Sequence, residues 1–223
     1  ELKKLVDVLN KASITEIKQV KILGSEHEKF EDLSIEDLLA RHPNDLDLYT
    51  IKNFIQNKSV LITGAGGSIG SEIAKQCQKF GASSLTLLDN SEYNLYKIGE
   101  QIEKAELKLV SVTDKNSVES IFKETMPQIV IHAAAYKHVP ILEECSPQAV
   151  LNNVGGTVNV AKAADKNGVC HFVFIYTDKA VRPTSVMGET KRVGELFIQN
   201  LNASSKTRFV EVRFGNVLAS SGS

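Results

Sequence analysis

The chain has 223 residues, of which 42% are hydrophobic and 24% are charged, as in an ordinary globular domain. Its formal net charge of −1 gives no basic surface for nucleic acid or anionic lipid, so we expect no nucleic-acid partner. No apolar run is long enough to cross a bilayer and no secretory signal is present, so we expect no membrane contact from this segment.

Residues 1–57 differ in pattern from the rest and are expected to form a helical or irregular extension. A short charged helix is predicted over residues 1–12 and a capped helical turn over residues 34–40. No chemistry is expected in this extension. Because the chain starts with Glu1, we expect a fragment of a longer protein whose upstream part could include a membrane anchor.

From Lys58 onward, strand and helix patterns alternate, and residues 58–223 are expected to form one dinucleotide-binding domain. Strands are predicted at 59–63, 84–89, 107–112, 128–132, 171–175 and 209–214. Helices are predicted at 68–80, 92–104, 115–125, 146–167 and 186–202. Most strands are continuous apolar runs, which is typical of a parallel sheet covered on both faces. The expected fold is therefore α/β, a doubly wound parallel sheet of the Rossmann type.

A glycine-rich turn lies between the first of these strands and its helix. Its spacing matches Gly64, Gly67 and Gly70, with Gly66 as an extra glycine, and the helix then begins at Ser68 and Ile69. A diphosphate needs backbone N–H groups at a helix N-terminus with no side chain in the way. The turn therefore predicts dinucleotide binding, although a plain tight turn is the alternative for such a motif alone.

An acidic residue ends the next strand. Asp89, followed by Asn90, is placed to accept the ribose hydroxyls of NAD and to repel the 2′-phosphate of NADP. NAD is the predicted cofactor. Asp89 could also cap the helix that starts at Glu92, and it could do both.

Three blocks of sequence resemble one enzyme family. They run from His132 to Pro140, from Asn152 to Thr157 and from Thr177 to Pro183. These blocks are similar to those of the bacterial UDP-N-acetylglucosamine 4,6-dehydratases, the PglF-like and CapD-like polysaccharide biosynthesis proteins of the extended short-chain dehydrogenase/reductase superfamily. The resemblance covers about residues 58–223.

The resemblance implies a redox-neutral elimination of water from a UDP-N-acetylhexosamine, for capsule, O-antigen or N-linked glycan synthesis. Thr177 would hydrogen-bond the C4 oxygen of the sugar. Asp178 would act as general acid toward the C6 hydroxyl, and Lys179 would take the C5 proton, each tuned by a dry pocket. The C4 base is left open between Thr177 with Asp178 and a water.

One position departs from the superfamily pattern. Met187 stands where a tyrosine is usual, four residues before Lys191, which can still hold the nicotinamide ribose. We interpret Met187 as a family variant, with a decayed enzyme as the alternative. Tyr176 is expected to pack away from Thr177 and not to replace the missing tyrosine.

The remaining candidates are weaker. Ala133, Ala134 and Ala135 leave room for the cofactor, or simply pack as small residues. Asn153 could hold the backbone beside the site or bridge within its helix. Lys137 and Asn216 are candidate contacts for the substrate phosphates.

The competing functions are a UDP-sugar 4-epimerase, which would need the tyrosine that Met187 replaces, and a non-catalytic NAD-binding module. Three scattered cysteines and five histidines without ligand spacing predict no disulfide and no metal. We expect a homo-oligomer at the cytoplasmic face, with full-length relatives anchored in the inner membrane. The small C-terminal substrate domain of extended family members is expected to be missing.

Overall fold

The computed structural model describes residues 18–22, 28–32 and 46–215. The chain divides into two compact units, Glu1–Asp47 and Leu48–Ser223. In the first unit, strands β1 (Lys18–Ile22) and β2 (Glu28–Asp32) pair antiparallel. This strand pair was not predicted. The helix expected over 1–12 and the turn expected over 34–40 lie outside the described residues.

The second unit is built on a six-stranded parallel sheet with the order β5-β4-β3-β6-β7-β8. Its strands are β3 (Ser59–Thr63), β4 (Ser84–Asp89), β5 (Ala105–Leu109), β6 (Ile129–His132), β7 (His171–Thr177) and β8 (Arg208–Phe214). Its helices are α1 (Leu48–Ile55), α2 (Ser68–Lys79), α3 (Glu92–Gly99), α4 (Lys115–Thr125), α5 (Val139–Glu144), α6 (Ser146–Ala149), α7 (Gly156–Lys166) and α8 (Val186–Asn202). This is the predicted doubly wound α/β fold.

Both faces of the sheet are buried, as the continuous apolar strands predicted. Along β3, Leu61 packs into one core cluster, whereas Val60 and Ile62 pack into another. Because successive strand side chains point to opposite faces, the two clusters lie on opposite sides of the sheet. All three residues are at most 1% exposed.

The helix that precedes β3 belongs to the second unit. Ile55 is buried, and the N–H of Asn57 donates to the carbonyl of Gly81. The ring of Phe54 packs edge-on against the ring of His171, with the two ring centroids 5.0 Å apart. These contacts bring the domain boundary to Asp47, earlier in the chain than the boundary expected at residue 57.

Two predicted elements are displaced around the third strand of the domain. Helix α3 ends at Gly99 and not at Lys104, and β5 starts two residues before the predicted Leu107. The register explains the shift, because Ala105 to Leu109 pair residue by residue with Leu85 to Asp89. Helix α3 therefore has to end early enough for Ala105 to pair with Leu85.

The long helix expected from Ser146 is interrupted, and α5 before it was not predicted. A π-helical turn, Val150–Gly155, separates α6 from α7. Gly156 follows this turn and lies close to Val112. A Cβ on Gly156 would lie 2.5 Å from the Cγ2 atom of Val112. Single π-helical turns are frequent at functional sites.

The topology locates the expected binding crevice. Strand β3 pairs with β4 on one side and with β6 on the other, so the chain crosses the sheet between β5 and β6. In open α/β sheets, ligands bind at such a switch point, outside the carboxyl ends of the strands. No helix in the described part of the chain is long and apolar enough to span a membrane.

Candidate active site

Two cavities lie at the carboxyl ends of the strands and share part of their walls. The smaller has a volume of about 190 Å³ and the larger of about 770 Å³. Gly64, Gly67, Ala133, Ala135 and Tyr136 line both of them. The cavities therefore adjoin at the switch point between β3 and β6.

The glycine turn leaves no room for side chains where it folds back on itself. Gly64 has φ +66°, and a Cβ on Gly70 would lie 2.1 Å from the carbonyl oxygen of Gly64. A Cβ on Gly66 would lie 2.5 Å from the Cβ of Asn94, so this glycine is required by packing and is not simply extra. Helix α2 follows with Gly67 at its N-cap, where no side chain caps the helix. The uncapped end, with Ser68, Ile69 and Gly70 on the cavity wall, suits an anionic group.

The carboxylate of Asp89 ties this turn to the end of β4. One oxygen accepts the N–H of Gly66 at 2.9 Å, and the other accepts the N–H of Ser91 at 2.9 Å. Asp89 is 8% exposed and, with the exposed Asn90, lines the smaller cavity. The cap of α3 is Ser91 and not Asp89, because its hydroxyl accepts the N–H of Asn94.

A buried histidine connects the end of β3 to the start of α7. The Nδ1 of His132 lies 2.6 Å from the hydroxyl of Thr63, and its Nε2 lies 3.0 Å from the hydroxyl of Thr157. Thr157 donates its single proton to the carbonyl of Asn153, so it must accept from Nε2–H of His132. Burial, aided by the charge of Lys191, lowers the pKa of His132 to about 3, so the ring stays neutral.

Asn153 holds the loop that follows β6. Its side-chain oxygen accepts the N–H of Tyr136 at 2.8 Å, and its side-chain nitrogen donates to the carbonyl of Tyr136 and to the hydroxyl of Thr190. Of the two roles considered for Asn153, the geometry is that of a backbone clamp. Ala133, Ala134 and Ala135 follow β6 on the cavity walls, and Lys137 lines the larger cavity.

The residues at the end of β7 stand at the larger cavity. The hydroxyl of Thr177 donates to Oδ1 of Asp178 at 3.1 Å and accepts the N–H of Lys179 at 3.3 Å. Thr177 is half-buried and lines the cavity with Lys179. Asp178 and Lys179 are exposed, so the dry pocket expected around them is not present in this structure.

The helix α8 presents Met187 and Lys191 to the same cavity. Met187 is 2% exposed and packs with Leu142 and Ala149. Burial lowers the pKa of Lys191 to about 8. Its Nζ lies 6.0 Å from the centroid of the Phe174 ring, and no salt bridge to it is found among the described residues. Four-residue spacing brings the two side chains to one helix face, as predicted.

Several lining residues were not anticipated. Tyr136, His138, Phe214 and Gly215 line the larger cavity, and Asn94 lines both. Each of the first four follows or ends a strand at the carboxyl edge, which is the signal that could have pointed to them. Tyr176 is buried, and its ring stacks on Phe174 in the core with centroids 5.6 Å apart, the packing role expected for it. Asn216 lies outside the described residues.

A family model described as polysaccharide biosynthesis protein matches residues 60–223. The chain belongs to this polysaccharide biosynthesis family. Its relatives place it in the extended short-chain dehydrogenase/reductase superfamily, in agreement with the resemblance of the three motif blocks.

Three curated relatives of this polysaccharide biosynthesis family member have informative names. Capsular polysaccharide biosynthesis protein CapD of Staphylococcus aureus is 46% identical over 199 residues, covering 86% of this chain and 33% of that protein. A UDP-N-acetylglucosamine 4,6-dehydratase (inverting) of Campylobacter jejuni is 31% identical, covering 74% of this chain and 51% of that protein. A UDP-glucose 4-epimerase of Rickettsia bellii is 32% identical, covering 75% of this chain and 51% of that protein. Identity therefore does not separate the two activities.

Among solved structures, Pen from Bacillus thuringiensis superposes with a TM-score of 0.72 at 35% identity, covering 76% of this chain and 54% of that one. The chain thus spans between a third and about half the length of these relatives. The described residues contain no cluster of His, Cys, Asp and Glu that could hold a metal ion.

Proposed function

We propose that this family member is the nucleotide-binding part of a UDP-N-acetylglucosamine 4,6-dehydratase that uses NAD in a redox-neutral elimination of water. The single observation that carries the proposal is the Thr177–Asp178–Lys179 segment. It puts Thr177 and Lys179 on the wall of the larger cavity, which the glycine turn also lines, and bonds the hydroxyl of Thr177 to the carboxylate of Asp178. A simple dehydrogenase would need neither Asp178 nor Lys179.

The residues of the two adjoining cavities together fit NAD. The uncapped end of α2 and the close-packed Gly64–Gly70 turn would hold the diphosphate, and Asp89 would accept the ribose hydroxyls. Lys191 faces the larger cavity and would hold the nicotinamide ribose. When bound, NAD would supply the redox chemistry by removing hydrogen from C4 of the sugar and returning it to C6.

The side chains at the end of β7 would carry the proton transfers. With C4 oxidised to a ketone, the C5 proton becomes acidic, and Lys179 would remove it. A proton would return from Lys179 to C5 when hydride adds at C6, so that Lys179 ends in its starting state. Asp178 would protonate the C6 hydroxyl, which leaves as water. Both groups are exposed here, so the bound nucleotide sugar itself would have to cover them. Lys137, on the wall of the same cavity, is our candidate for a phosphate contact, and Asn216 remains a second one.

The bond between Thr177 and Asp178 supports one route for the C4 hydroxyl proton. The hydroxyl of Thr177 donates its hydrogen bond to the carboxylate of Asp178. Thr177 can therefore pass its own proton to Asp178 while it accepts the proton of the C4 hydroxyl. Asp178 then holds the proton that it delivers to the C6 oxygen. One proton removed at C4 thus leaves in the water molecule, and no separate base is needed at position 187.

The alternative with independent support is a UDP-sugar 4-epimerase, because such enzymes are among the relatives at similar identity. The Asp178–Lys179 pair is the observation against it. A 4-epimerase breaks no bond at C5 or C6, so it would need neither an acid for the C6 oxygen nor a base for the C5 proton.

The deciding experiment is NMR of the product that the full-length protein forms from UDP-N-acetylglucosamine in the presence of NAD. A dehydratase yields a 4-keto-6-deoxy sugar with a new methyl signal. An epimerase yields the C4 epimer with the C6 hydroxyl retained. NAD binding without any product would identify a non-catalytic dinucleotide module, and either of the last two results would refute the proposal.

A further inference from the structure

A buried carboxylate links helix α8 to strand β8. Glu195 of α8 is 0% exposed, and its two oxygens accept from different arginines, Arg192 on the same helix and Arg213 on β8. Burial opposes its ionisation, but hydrogen bonds with Tyr176, Arg192 and Arg213 outweigh burial and keep the pKa of Glu195 below its ordinary value. We call these four residues the Glu195 cluster.

The Glu195 cluster joins three elements through one guanidinium. Arg213 donates through Nε to the hydroxyl of Tyr176 on β7 and through Nη2 to Glu195 on α8. Because a guanidinium is a rigid planar fork, one side chain fixes both partners relative to β8. The other arginine, Arg192, bonds Glu195 within the helix and connects no second element.

The Glu195 cluster lies beside the proposed reaction centre, one ladder position before Thr177 on β7 and four residues after Lys191 on α8. Tyr176 and Arg213 are paired residues of β7 and β8, and the next pair is Thr177 and Phe214. The side chains of Tyr176 and Thr177 point to opposite faces of β7, so the cluster restrains the carboxyl end of the β7–β8 pair from the face on which α8 packs.

The end of β8 forms part of the cavity wall next to the proposed general acid. Phe214 and Gly215 line the larger cavity, and a Cβ built on Gly215 would lie 3.7 Å from Oδ2 of Asp178. Among the described strands β8 pairs with β7 alone, so backbone pairing within them holds β8 on one side only. The cross-link by Arg213 compensates at the point where the wall meets Asp178.

We propose that Arg213 is a positioning residue: through Tyr176 and Glu195 it holds the carboxyl end of β8 against β7, and so sets the place of Thr177 and Asp178 relative to the cavity wall. The inference rests on the proposed function for its effect on turnover. Its structural half, the restraint of residues 213–215, does not depend on which reaction the protein catalyses.

The chain offers a matched pair of variants. Arg213→Met and Arg192→Met each remove one half-exposed arginine, with side chains 47% and 40% exposed, and each removes one ion pair of the same carboxylate. In both variants Glu195 keeps its other arginine, so neither variant leaves the buried carboxylate without an ion pair. The variants differ in one respect, since Arg213→Met alone removes the link between Glu195 and the carboxyl end of β8. The bond from Gln199 of α8 to Glu211, earlier in β8, stays in both variants.

The experiment uses the full-length protein and three measurements: turnover of UDP-N-acetylglucosamine, the Kd for NAD, and hydrogen exchange of the amides of residues 213–215. For Arg213→Met we expect turnover to fall about tenfold or more, because small misplacement of catalytic groups is costly. We expect the Kd for NAD to stay within about twofold, because the proposed cofactor contacts lie mainly on other elements. Exchange of residues 213–215 should accelerate.

Arg192→Met should change none of the three measurements, and Arg213→Lys should recover part of the turnover, since lysine restores the charge beside Glu195 but not the fork. Equal losses in the two methionine variants, or unchanged turnover in Arg213→Met, would overturn the inference. If the wild-type protein does not dehydrate this substrate, the proposed function fails. In that case the hydrogen-exchange rates of residues 213–215 alone test the positioning role of Arg213. Equal rates in Arg213→Met and Arg192→Met would contradict that role.

Discussion

The carboxylate of Asp89 accepts the backbone N–H of Gly66 across 2.9 Å while its other oxygen accepts the N–H of Ser91. A residue chosen from the sequence for ribose recognition thus also braces the glycine turn. The two roles are compatible, because each carboxylate oxygen can accept more than one hydrogen bond.

The first prediction concerns Asp89. Asp89→Asn should weaken NAD binding and narrow the gap between the affinities for NAD and NADP, because the negative charge that would repel a 2′-phosphate is lost. Calorimetric titration with both nucleotides measures the effect. Asp114→Asn is the matched control, because Asp114 caps α4 and the structure places it on neither cavity wall. A wild-type preference for NADP would contradict the role given to Asp89.

The second prediction concerns the acid and the base. In the full-length protein, Asp178→Asn and Lys179→Met should each lower turnover by about 10²-fold or more, the usual effect of losing a positioned acid or base. The product formed in deuterated water should carry deuterium at C5. Lys123→Met, which changes a lysine in the last turn of α4, serves as the control. Near-normal turnover in either active-site variant would remove that residue from the mechanism.

The third prediction concerns Met187. Met187→Tyr should not raise turnover greatly, because proton transfer at C4 is assigned to Thr177 and Asp178. Met187 is buried against Leu142 and Ala149, so a larger ring also introduces strain. Met187→Phe controls for this bulk, since it adds a ring without a hydroxyl. A gain of about 10²-fold in the tyrosine variant over the phenylalanine variant would mean that the site lacks a proton acceptor.

The fourth prediction concerns the pH dependence of stability. Burial lowers the pKa of Lys191 from 10.5 to about 8, so between these values the unfolded chain binds more protons at this position than the folded chain. The contribution of Lys191 to the free energy of unfolding should therefore rise from about pH 8 to about pH 10.5. Urea unfolding of wild type and Lys191→Met across this range measures the difference. A pH-independent difference would show that Lys191 is not desolvated in solution.

Much of the fold was predictable from local sequence. The strand at Ser59–Thr63, its partner at Ser84–Asp89 and the helix at Val186–Asn202 were predicted with the bounds that the structure has. Each has a long apolar pattern with clear end signals, such as Ser185 at the N-cap of α8. The bounds of β5 were missed because the pairing partner, β4, decides its register.

The residue types of the candidate site were also visible in the sequence. The spacing of the glycines and an acid at the end of the second strand were sufficient to indicate a dinucleotide, because these features depend on neighbours along the chain. The elimination was implied by the resemblance of the block that contains Thr177, Asp178 and Lys179 to one enzyme family. The family match to residues 60–223 confirms the polysaccharide biosynthesis family, and the elimination stays a prediction.

Tertiary structure decided which of these residues depend on one another. The tautomer of His132, the clamp of Asn153 on Tyr136 and the link from Glu195 to Arg213 join residues that are between 17 and 25 positions apart. Chain separation of this kind carries no local signal, and a buried polar group takes its partner from whatever the fold brings within reach. The sequence by itself determined the sheet, the turn and the reactive side chains. The packing of α8 and β8 against β7 decided how those side chains are held.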